Sequence, residues 1–496
     1  MRSHPSLFAL VGLASILPAA IASPFDKAEA LAECLSKSSV PADDIGSPDW
    51  KLDAAPFNLR LNFTPVGIVV PTTPQHVRDA VACAAKIGVK ANAKCGGHSY
   101  GSFGLGGEDG HLTIEMDRMN KVVLDNATGI ATVEGGARLG HVAAELYDQG
   151  KRAFSHGTCP GVGVGGHALH GGYGVSSHTK GLALDWMVGA TVVLANSTMV
   201  NCSETENADL FWAIRGAGGS MGIVTEFRFK TFLVPETVTF FVAPVQWRTE
   251  AQALTGLQAV QDFVLDDMPA ELNMRLFIAS RFTNLEGLFY GDKAGLQAAL
   301  APLIKKTNAT LALATQGGWL DQVKHFGNGV NVDQTHPYNY HETFYSSSLY
   351  TNSLNETQMK AFVGYWFKVA KTNKRDWYVQ IDLHGGNTSA IAKADAESTS
   401  YAHRDYLFMY LFYDRVDKGA YPTEGFAAVQ NFVSNVTDTM PKSSWGQYIN
   451  YPDPRMDQQT AQTNYWGQHL PRLQSIKKAV DPDDVFHYPQ GVLPAA

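Results

Sequence analysis

Charged side chains are scarce in this sequence. They make up 17% of the 496 residues, and the formal net charge is −8. Binding to nucleic acid needs a clustered basic surface, which no segment of the sequence provides. Two adjacent lysine pairs, Lys305-Lys306 and Lys477-Lys478, are interpreted as solvated helix faces. We therefore expect no nucleic-acid partner.

Long hydrophobic runs are missing after residue 22. At the start, Met1-Arg2-Ser3-His4 precedes an apolar stretch from Leu7 to Ile21, and Ala20-Ile21-Ala22 follows. A positive start, a short apolar region and small residues two apart are typical of a secretory signal peptide, whereas Pro18 interrupts the ~20 apolar residues of a membrane span. We predict a signal peptide over 1–22, cleavage after Ala22, and a secreted, extracellular protein without a membrane partner.

Cysteine is also rare. An odd number of cysteines in an oxidising compartment leaves at least one thiol without a disulfide partner, and a covalent cofactor bond would account for it. The five cysteines are Cys34, Cys83, Cys95, Cys159 and Cys202. Secretion also agrees with the signals for N-glycosylation, Asn-X-Ser/Thr, found at Asn62, Asn126, Asn196, Asn201, Asn308, Asn355, Asn387 and Asn435.

The length and the hydrophobic fraction of 45% are enough for two packed domains. Composition changes near Pro235 and again near Pro441, and we find no internal repeat or low-complexity tract. We predict a first domain over residues 23–234, a second over 235–440, and a last segment, 441–496, that returns to the first.

Hydrophobic periodicity predicts the main elements. In the first domain these are strands at Val66–Val70, Leu112–Glu115 and Ala131–Glu134 and helices at Pro74–Ile87 and Leu139–Gln149. Beyond it they are helices at Glu250–Leu265, Thr357–Ala370 and Gln459–Val480 and strands at Asn273–Ala279 and Trp377–Leu383.

One glycine cluster could indicate a nicotinamide-binding unit. Gly161-Val162-Gly163-Val164-Gly165-Gly166 is close to GxGxxG, and Asp185 follows ~20 residues on. However, Cys159-Pro160 precedes the cluster where a buried strand should run, and the glycines continue to Gly174. The pattern instead indicates backbone wrapped around a large ligand.

Histidines are frequent in the same region. They could suggest a metal centre, but no cysteine or carboxylate pair stands at zinc spacing around them. The histidines concerned are His156, His167, His170 and His178. We predict no metal site.

Two loops have more specific sequences, Gly96-Gly97-His98-Ser99-Tyr100-Gly101 and Ser155-His156-Gly157-Thr158-Cys159-Pro160. Together they resemble the berberine bridge enzyme-like family of FAD oxidases, within the vanillyl-alcohol oxidase superfamily, and in particular its fungal oligosaccharide oxidases. Three further segments carry the same resemblance: Gly104–His111, Ser203–Trp212 and Asp382-Leu383-His384-Gly385-Gly386.

The resemblance implies an α+β fold, with a two-part FAD-binding domain of vanillyl-alcohol oxidase type and an α/β substrate domain whose sheet lies over the flavin. It also implies FAD held by two covalent bonds, from His98 to the 8α carbon and from Cys159, as thiolate, to C6. By themselves, the residues could equally be a loop histidine and half of a disulfide. The other cofactor-binding positions implied are Gly96, Gly97, Ser99, Val162, Gly163, Gly166, His167, Gly171, Gly172, Gly174 and Ile223.

The resemblance also implies a catalytic pair, in which Asp382 assists Tyr451 to take a proton from a sugar hydroxyl while hydride moves to the flavin. Without the resemblance, Tyr451 would be interpreted as a half-buried aromatic residue on a strand, and Asp382 as the cap of a helix or turn. Val162, three residues after the linking cysteine, resembles the residue of the oxidases at that position and indicates use of O2. It would equally serve as a packing residue.

The expected substrate is an oligosaccharide of gluco, cello or xylo type, which the enzyme oxidises at the reducing-end anomeric carbon to a lactone. Hydrogen peroxide is the expected second product. We expect the protein to act as a monomer. Aromatic side chains can stack on the C–H face of a sugar. The expected substrate contacts are Tyr100 and Tyr378 as walls and Thr158, Arg275 and Gln380 as hydrogen-bonding groups.

Two other functions remain open at this stage. One is a secondary-metabolism oxidase or dehydrogenase of the same fold, acting on an alcohol or alkaloid; the other is a secreted binding protein that keeps the flavin without useful activity. The sequence departs from the nearest relatives at Cys95 and His170, both of which replace glycine. Cys34 and Cys83 resemble the family disulfide.

Overall fold

The computed structural model describes residues 24–329, 331–333 and 340–496. The predicted signal peptide, 1–22, lies outside the described residues. Within them, no helix combines the length and the apolar character needed to cross a membrane. The asparagines of all the predicted glycosylation signals are exposed.

The first part of the chain carries two larger sheets and a two-stranded sheet, in which Arg152–Ala153 pairs with Phe232–Leu233. A four-stranded sheet has the order β1-β2-β4-β3, with β2, β4 and β3 parallel, and a five-stranded antiparallel sheet has the order β5-β6-β10-β8-β9. The elements are α1 Pro24–Lys37, β1 Ala42–Asp43, α2 Trp50–Asp53, β2 Gly67–Val69, α3 Pro74–Ile87, β3 Ala91–Lys94, β4 Leu112–Glu115, β5 Val122–Asp125, β6 Ile130–Glu134, α4 Leu139–Gly150, β7 Arg152–Ala153, α5 Val164–Ala168, α6 Ser177–Lys180, β8 Met187–Val193, β9 Met199–Cys202, α7 Ala208–Ala217, β10 Ile223–Lys230 and β11 Phe232–Leu233.

Helix α3 shows how local sequence sets an element. The Thr73 hydroxyl accepts a hydrogen bond from the backbone N–H of His76, Pro74 stands where no N–H is needed, and Gly88 ends the helix at φ 71°. A disulfide joins Cys34 of α1 to Cys83 of α3, as the resemblance implied. It ties α1 to α3.

The second part is built on an eight-stranded antiparallel sheet of order β15-β12-β14-β13-β17-β18-β16-β19. Four of its helices, Glu250–Asp262, Lys293–Thr307, Glu356–Lys368 and Thr423–Thr437, pack on one face and form a large apolar core with it. The elements are β12 Val238–Pro244, α8 Glu250–Asp262, β13 Leu272–Ala279, β14 Thr283–Phe289, α9 Lys293–Thr307, β15 Leu313–Gly317, α10 Trp319–Phe326, β16 Thr343–Thr351, α11 Glu356–Lys368, β17 Asp376–Leu383, α12 Ala390–Lys393, β18 Phe408–Val416 and α13 Thr423–Thr437.

The last segment contributes to both parts, with β19 Trp445–Gly446, α14 Gln458–Trp466 and α15 Leu470–Val480. Strand β19 pairs with β16 of the large sheet, whereas α15 packs on α7 of the first part. The prediction of a single helix over Gln459–Val480 is wrong. Gly467, at φ 45°, separates two helices, and Pro471 in the first turn of α15 lacks the N–H that a continuous helix would need.

The expected solvated face at Lys477-Lys478 is half wrong. Lys478 is exposed, but Lys477 is 0% exposed. Its Nζ donates to Oδ2 of Asp481 at 2.5 Å and to the carbonyl of Ser220 at 2.9 Å. A buried ammonium group needs such partners, so Lys477 stabilises the packing of α15 on the first part. Lys305 and Lys306 are both exposed, as expected.

Candidate active site

A cavity of about 880 Å³ lies between the glycine-rich loops of the first part and the open face of the large sheet. This is near the upper end of the usual range for small-molecule sites, ~300–1,000 Å³. Its lining includes residues from the first part, the large sheet and the last segment. The cavity is therefore a candidate for both a cofactor and a substrate.

The alternation of side chains along strands decides which residues of the sheet reach this cavity. On β13, Arg275 and Phe277 line the cavity while Leu276 and Ile278 lie in the core; on β17, Tyr378, Gln380 and Asp382 line it while Val379 and Ile381 do not. Arg275 pairs with Asp382 and Phe277 with Gln380 across the two strands. The expected substrate and catalytic residues of the sheet are thus on one face.

The two cofactor loops are packed directly on each other. A Cβ atom added to Gly96 would lie 2.2 Å from the backbone N of Gly163, and one added to Gly163 would lie 2.2 Å from the backbone N of Gly96. Nη1 of Arg138 donates to the carbonyls of Gly96, at 2.8 Å, and Gly161, at 2.9 Å. Glycine at both positions is required because backbone meets backbone.

This packing brings His98 and Cys159 together. Their Nε2 and Sγ atoms are 3.6 Å apart, and both residues line the cavity. The imidazole of His98 stacks on Phe57 with ring centroids 3.8 Å apart. Burial lowers the pKa of His98 to about 4, so the ring is neutral at physiological pH and one ring nitrogen carries no proton.

The other expected cofactor residues divide into two groups. Those that line the cavity are Gly96, Gly97, Ser99, Val162, Gly163, Gly166, His167, Gly174 and Ile223. Gly171 and Gly172 lie outside the cavity lining, and their role in binding the cofactor stays a prediction. They have φ of 128° and 84°, and a Cβ on Gly171 would lie 2.9 Å from the Tyr448 ring; the N–H of Gly172 donates to the Tyr448 hydroxyl at 2.9 Å.

The four histidines of this region have separate partners. His167 accepts a hydrogen bond from the N–H of Gly157 at 2.8 Å, and burial lowers its pKa to about 3. His156 contacts the carbonyl of Gly157, His170 that of Gly166, and His178 that of Leu383. Among the residues that the structure describes, no group of three or more His, Cys, Asp or Glu side chains is arranged to hold a metal ion.

Of the cysteines outside the disulfide, Cys95 and Cys202 are held as thiols by their surroundings. Burial raises the pKa of Cys95 to about 11 and that of Cys202 to about 12. Cys95 donates to the carbonyl of Ala137 at 3.4 Å, and Cys202 to that of Ala190 at 3.7 Å. Cys202 is a packing residue, whereas Cys95 lies in the cavity lining.

Asp382 and Tyr451 occupy the same end of the cavity. Asp382 is 3% exposed, and burial, opposed by Arg275 and Gln380, raises its pKa to about 6. Burial and the charge of Asp382 raise the pKa of Tyr451 well above its ordinary value. Oδ2 of Asp382 accepts from Nε2 of Gln380 at 2.7 Å. Within the described part of the chain, Asp382 makes no hydrogen bond with Tyr451.

The expected substrate contacts are Tyr100, Thr158, Arg275, Tyr378 and Gln380, and all line the cavity. Tyr378 stands between the rings of Phe277 and Tyr413, with centroids 5.0 and 4.9 Å away. Both of its faces are covered, so it presents its edge and hydroxyl. Tyr100 packs edge-on against Phe344 at 4.9 Å.

Sequence reasoning missed four residues around this site: Phe57, Arg138, Tyr173 and Glu286. Phe57 and Tyr173 line the cavity, as does Glu286. Only Glu286 had a usable signal, since a hairpin formed by residues 272–289 places it opposite Arg275, and opposite charges facing each other across a sheet attract. Phe57 and Arg138 act through contacts between distant segments.

The residues fit a flavin cofactor. The cavity has the necessary size, glycine backbone approaches it closely, and two side chains able to form covalent bonds lie together in its wall. The fold and this site define a flavoprotein with an FAD-binding domain of vanillyl-alcohol oxidase type and a sheet-based substrate domain.

Comparison with known proteins agrees. Two family models match, "FAD binding domain" over residues 65–203 and "Berberine and berberine like" over residues 447–493. A xylooligosaccharide oxidase of Thermothelomyces thermophilus is 48% identical over 99% of both chains. The chain belongs to the fungal oligosaccharide oxidases of the berberine bridge enzyme-like family, and it is an FAD-dependent carbohydrate oxidase.

Two solved structures are similar over almost the whole chain. One is a xylooligosaccharide oxidase from Myceliophthora thermophila C1 in complex with xylobiose, with a TM-score of 0.93, 48% identity, and coverage of 94% of this chain and 100% of that one. The other is a glucooligosaccharide oxidase from Acremonium strictum, described with 6-S-cysteinyl, 8α-N1-histidyl FAD; it has a TM-score of 0.92, 44% identity, and coverage of 94% and 100%.

Proposed function

We propose that the enzyme oxidises the reducing-end C1 hydroxyl of an oligosaccharide of gluco, cello or xylo type to a lactone and reduces O2 to hydrogen peroxide. The observation that carries the proposal is the position of Asp382 and Tyr451 in the wall of the cavity that the loops of His98 and Cys159 complete. The complex of a similar oxidase with xylobiose supports a sugar as the ligand. Water then opens the lactone to an aldonic acid.

FAD, when bound, supplies the acceptor for the two electrons of the sugar. We assign its covalent attachment to His98 and Cys159. The neutral imidazole, the proximity of the two side chains and the twofold linkage in the Acremonium strictum relative support the assignment. Phe57 holds the His98 ring in one orientation, and Arg138 holds the two loops together.

The proton of the C1 hydroxyl passes to the oxygen of Tyr451, and the phenolic proton of Tyr451 passes to Asp382. This order avoids a free phenolate, which the raised pKa of Tyr451 disfavours. Asp382 is a stronger base than an ordinary aspartate because its pKa is about 6. Tyr451 reaches the free Oδ1 of Asp382 in the complex with sugar, since catalytic hydrogen bonds often form only there.

The same relay predicts a pH dependence. Asp382 accepts a proton only when it is ionised, so flavin reduction by the sugar is expected to fall as the pH drops below about 6. The rate of anaerobic flavin bleaching, measured from about pH 4 to about pH 9, should show this acid limb. A rate that stays constant down to pH 4 would contradict Asp382 as the acceptor.

Other parts of the proposal concern the protein in its surroundings. We propose that it is secreted as a monomer after cleavage at Ala22, that residues 23–234 with 441–496 bind FAD, and that 235–440 bind the sugar. Val162, which lines the cavity, supports O2 as the second substrate.

The first test is a denaturing gel of the purified protein, viewed under ultraviolet light after acid treatment, together with a peroxide assay on gluco-, cello-, xylo- and chito-oligosaccharides. A fluorescent protein band is expected because the flavin is covalent, and peroxide is expected with at least one sugar class. A dark band would contradict attachment at His98 and Cys159. A fluorescent band without peroxide from any sugar would contradict the substrate class.

A further inference from the structure

A carboxylate that the reaction scheme does not use lies in the cavity wall. Glu286 on β14 faces Arg275 on β13 in the sheet register, and its side chain is only 15% exposed. Oε1 of Glu286 accepts from Nε of Arg275 at 2.6 Å and lies 2.6 Å from Nη2. The guanidinium is therefore held on one side by a charged partner on the neighbouring strand.

The other side of Arg275 continues towards Asp382. Nη1 of Arg275 donates to Oε1 of Gln380 at 2.9 Å, and Nε2 of Gln380 donates to Oδ2 of Asp382 at 2.7 Å. Arg275 thus determines which end of the Gln380 amide faces Asp382. Glu286, Arg275, Gln380 and Asp382 form one chain of hydrogen bonds across β14, β13 and β17, the central strands of the cavity face.

This arrangement gives Arg275 and Gln380 a different role from direct contact with the sugar. Both groups of the Gln380 amide are engaged, and three nitrogens of Arg275 contact protein atoms. Oδ1 of Asp382, in contrast, has no hydrogen-bond partner within the described parts of the chain. It is the oxygen left for Tyr451.

We propose that Glu286 is a positioning residue: through Arg275 and Gln380 it holds Oδ2 of Asp382 in a fixed hydrogen bond, so that Oδ1 is presented to Tyr451. The inference rests on the proposed function, because it concerns the proton acceptor of that reaction. Glu286 itself exchanges no proton and touches neither reacting atom.

The charges near these hydrogen-bonded residues make the positioning role of Glu286 measurable. Besides burial, the groups that shift the pKa of Asp382 are Arg275, Gln380 and Glu286. The charge of Asp382 in turn raises the pKa of the tyrosines that face it, Tyr173, Tyr448 and Tyr451. Arg275 lowers the pKa of Asp382, and Glu286 raises it. Besides Arg275 and Asp382, Glu286 faces His325. Loss of the Glu286 charge leaves Arg275 to act on Asp382 uncompensated, so the pKa of Asp382 should fall.

The test compares Glu286→Gln with wild-type holoenzyme in anaerobic flavin reduction by the best oligosaccharide across the pH range. We expect the maximal rate to fall about tenfold and the acid limb to move down by about one pH unit. Glu286→Asp, which keeps the charge, should leave the limb near its wild-type position. The double variant Glu286→Gln, Arg275→Gln removes both charges that act on Asp382. Because Arg275 lowers the pKa of Asp382 more than Glu286 raises it, the limb should move back up to its wild-type position or above it, while the rate stays low.

Asp414→Asn is the matched control. Asp414 is 0% exposed and pairs with Arg375 in the same sheet, outside the cavity lining. This variant should lower Tm without moving the acid limb. An unmoved limb and unchanged rate in Glu286→Gln, or an equal shift in Asp414→Asn, would overturn the proposal. If no oligosaccharide reduced the flavin of the wild-type enzyme, the proposed function itself would be overturned.

Discussion

Tyr451→Phe is expected to slow flavin reduction by sugar about 10²–10⁴-fold, the usual contribution of a positioned acid or base. The hydroxyl that we propose as the acceptor of the C1 proton is lost, while the ring stays. FAD should remain bound at wild-type levels, because Tyr451 does not take part in its attachment. Stopped-flow measurement of flavin bleaching without oxygen isolates this step.

The structure explains why no neighbouring group should replace Tyr451. The hydroxyl of Tyr448 is engaged by the N–H of Gly172 and by the side chain of Asn450. Tyr173 also lines the cavity, and its hydroxyl makes no hydrogen bond within the described structure. Its ring, however, comes from the loop between α5 and α6 and not from the segment that carries Tyr451.

Tyr410→Phe is a suitable control. Tyr410 is buried in the core on the helix side of the same sheet, and its hydroxyl accepts from Thr351 at 3.4 Å. Its loss should leave the rate of flavin reduction within about twofold of wild type. A Tyr451→Phe enzyme as fast as Tyr410→Phe would remove Tyr451 from the mechanism.

Removal of both side chains that we assign to the flavin should abolish covalent attachment. The variant His98→Ala, Cys159→Ala is expected to release all FAD on denaturation, whereas each single variant keeps one bond. Two bonds also raise the reduction potential of a flavin, so the single variants should be reduced more slowly. Mass spectrometry of the intact protein counts the bound flavin, and peptide mapping locates each bond.

The environment of the two residues makes the outcomes distinguishable. Loss of Cys159 leaves the neutral His98 ring stacked on Phe57, so the histidyl bond should still form. Cys202→Ala controls for the loss of a thiol, because Cys202 is buried outside the cavity lining. Retention of covalent flavin in the double variant would show that another residue is the attachment point.

Local sequence predicted the elements that frame the site to within a few residues. Helix Pro74–Ile87 and strand Leu112–Glu115 have the predicted bounds, and Asn273–Ala279 and Trp377–Leu383 each begin one residue earlier than predicted. Capping residues and side-chain alternation act over a few neighbours, so a single segment contains the necessary information. The prediction of one final helix failed because Gly467 and Pro471 interrupt the helix although the apolar periodicity continues.

The sequence by itself determined the chemistry available to this protein: the loops with His98 and Cys159, the Cys34–Cys83 pair, and the segments of Asp382 and Tyr451. Only the tertiary structure decided how these groups meet. Phe57 lies against His98, Arg138 bridges two loops, and Glu286 reaches Asp382 through Arg275 and Gln380. Such contacts depend on sheet register and on packing between segments far apart in the chain, and packing of that kind also buries Lys477 against Ser220.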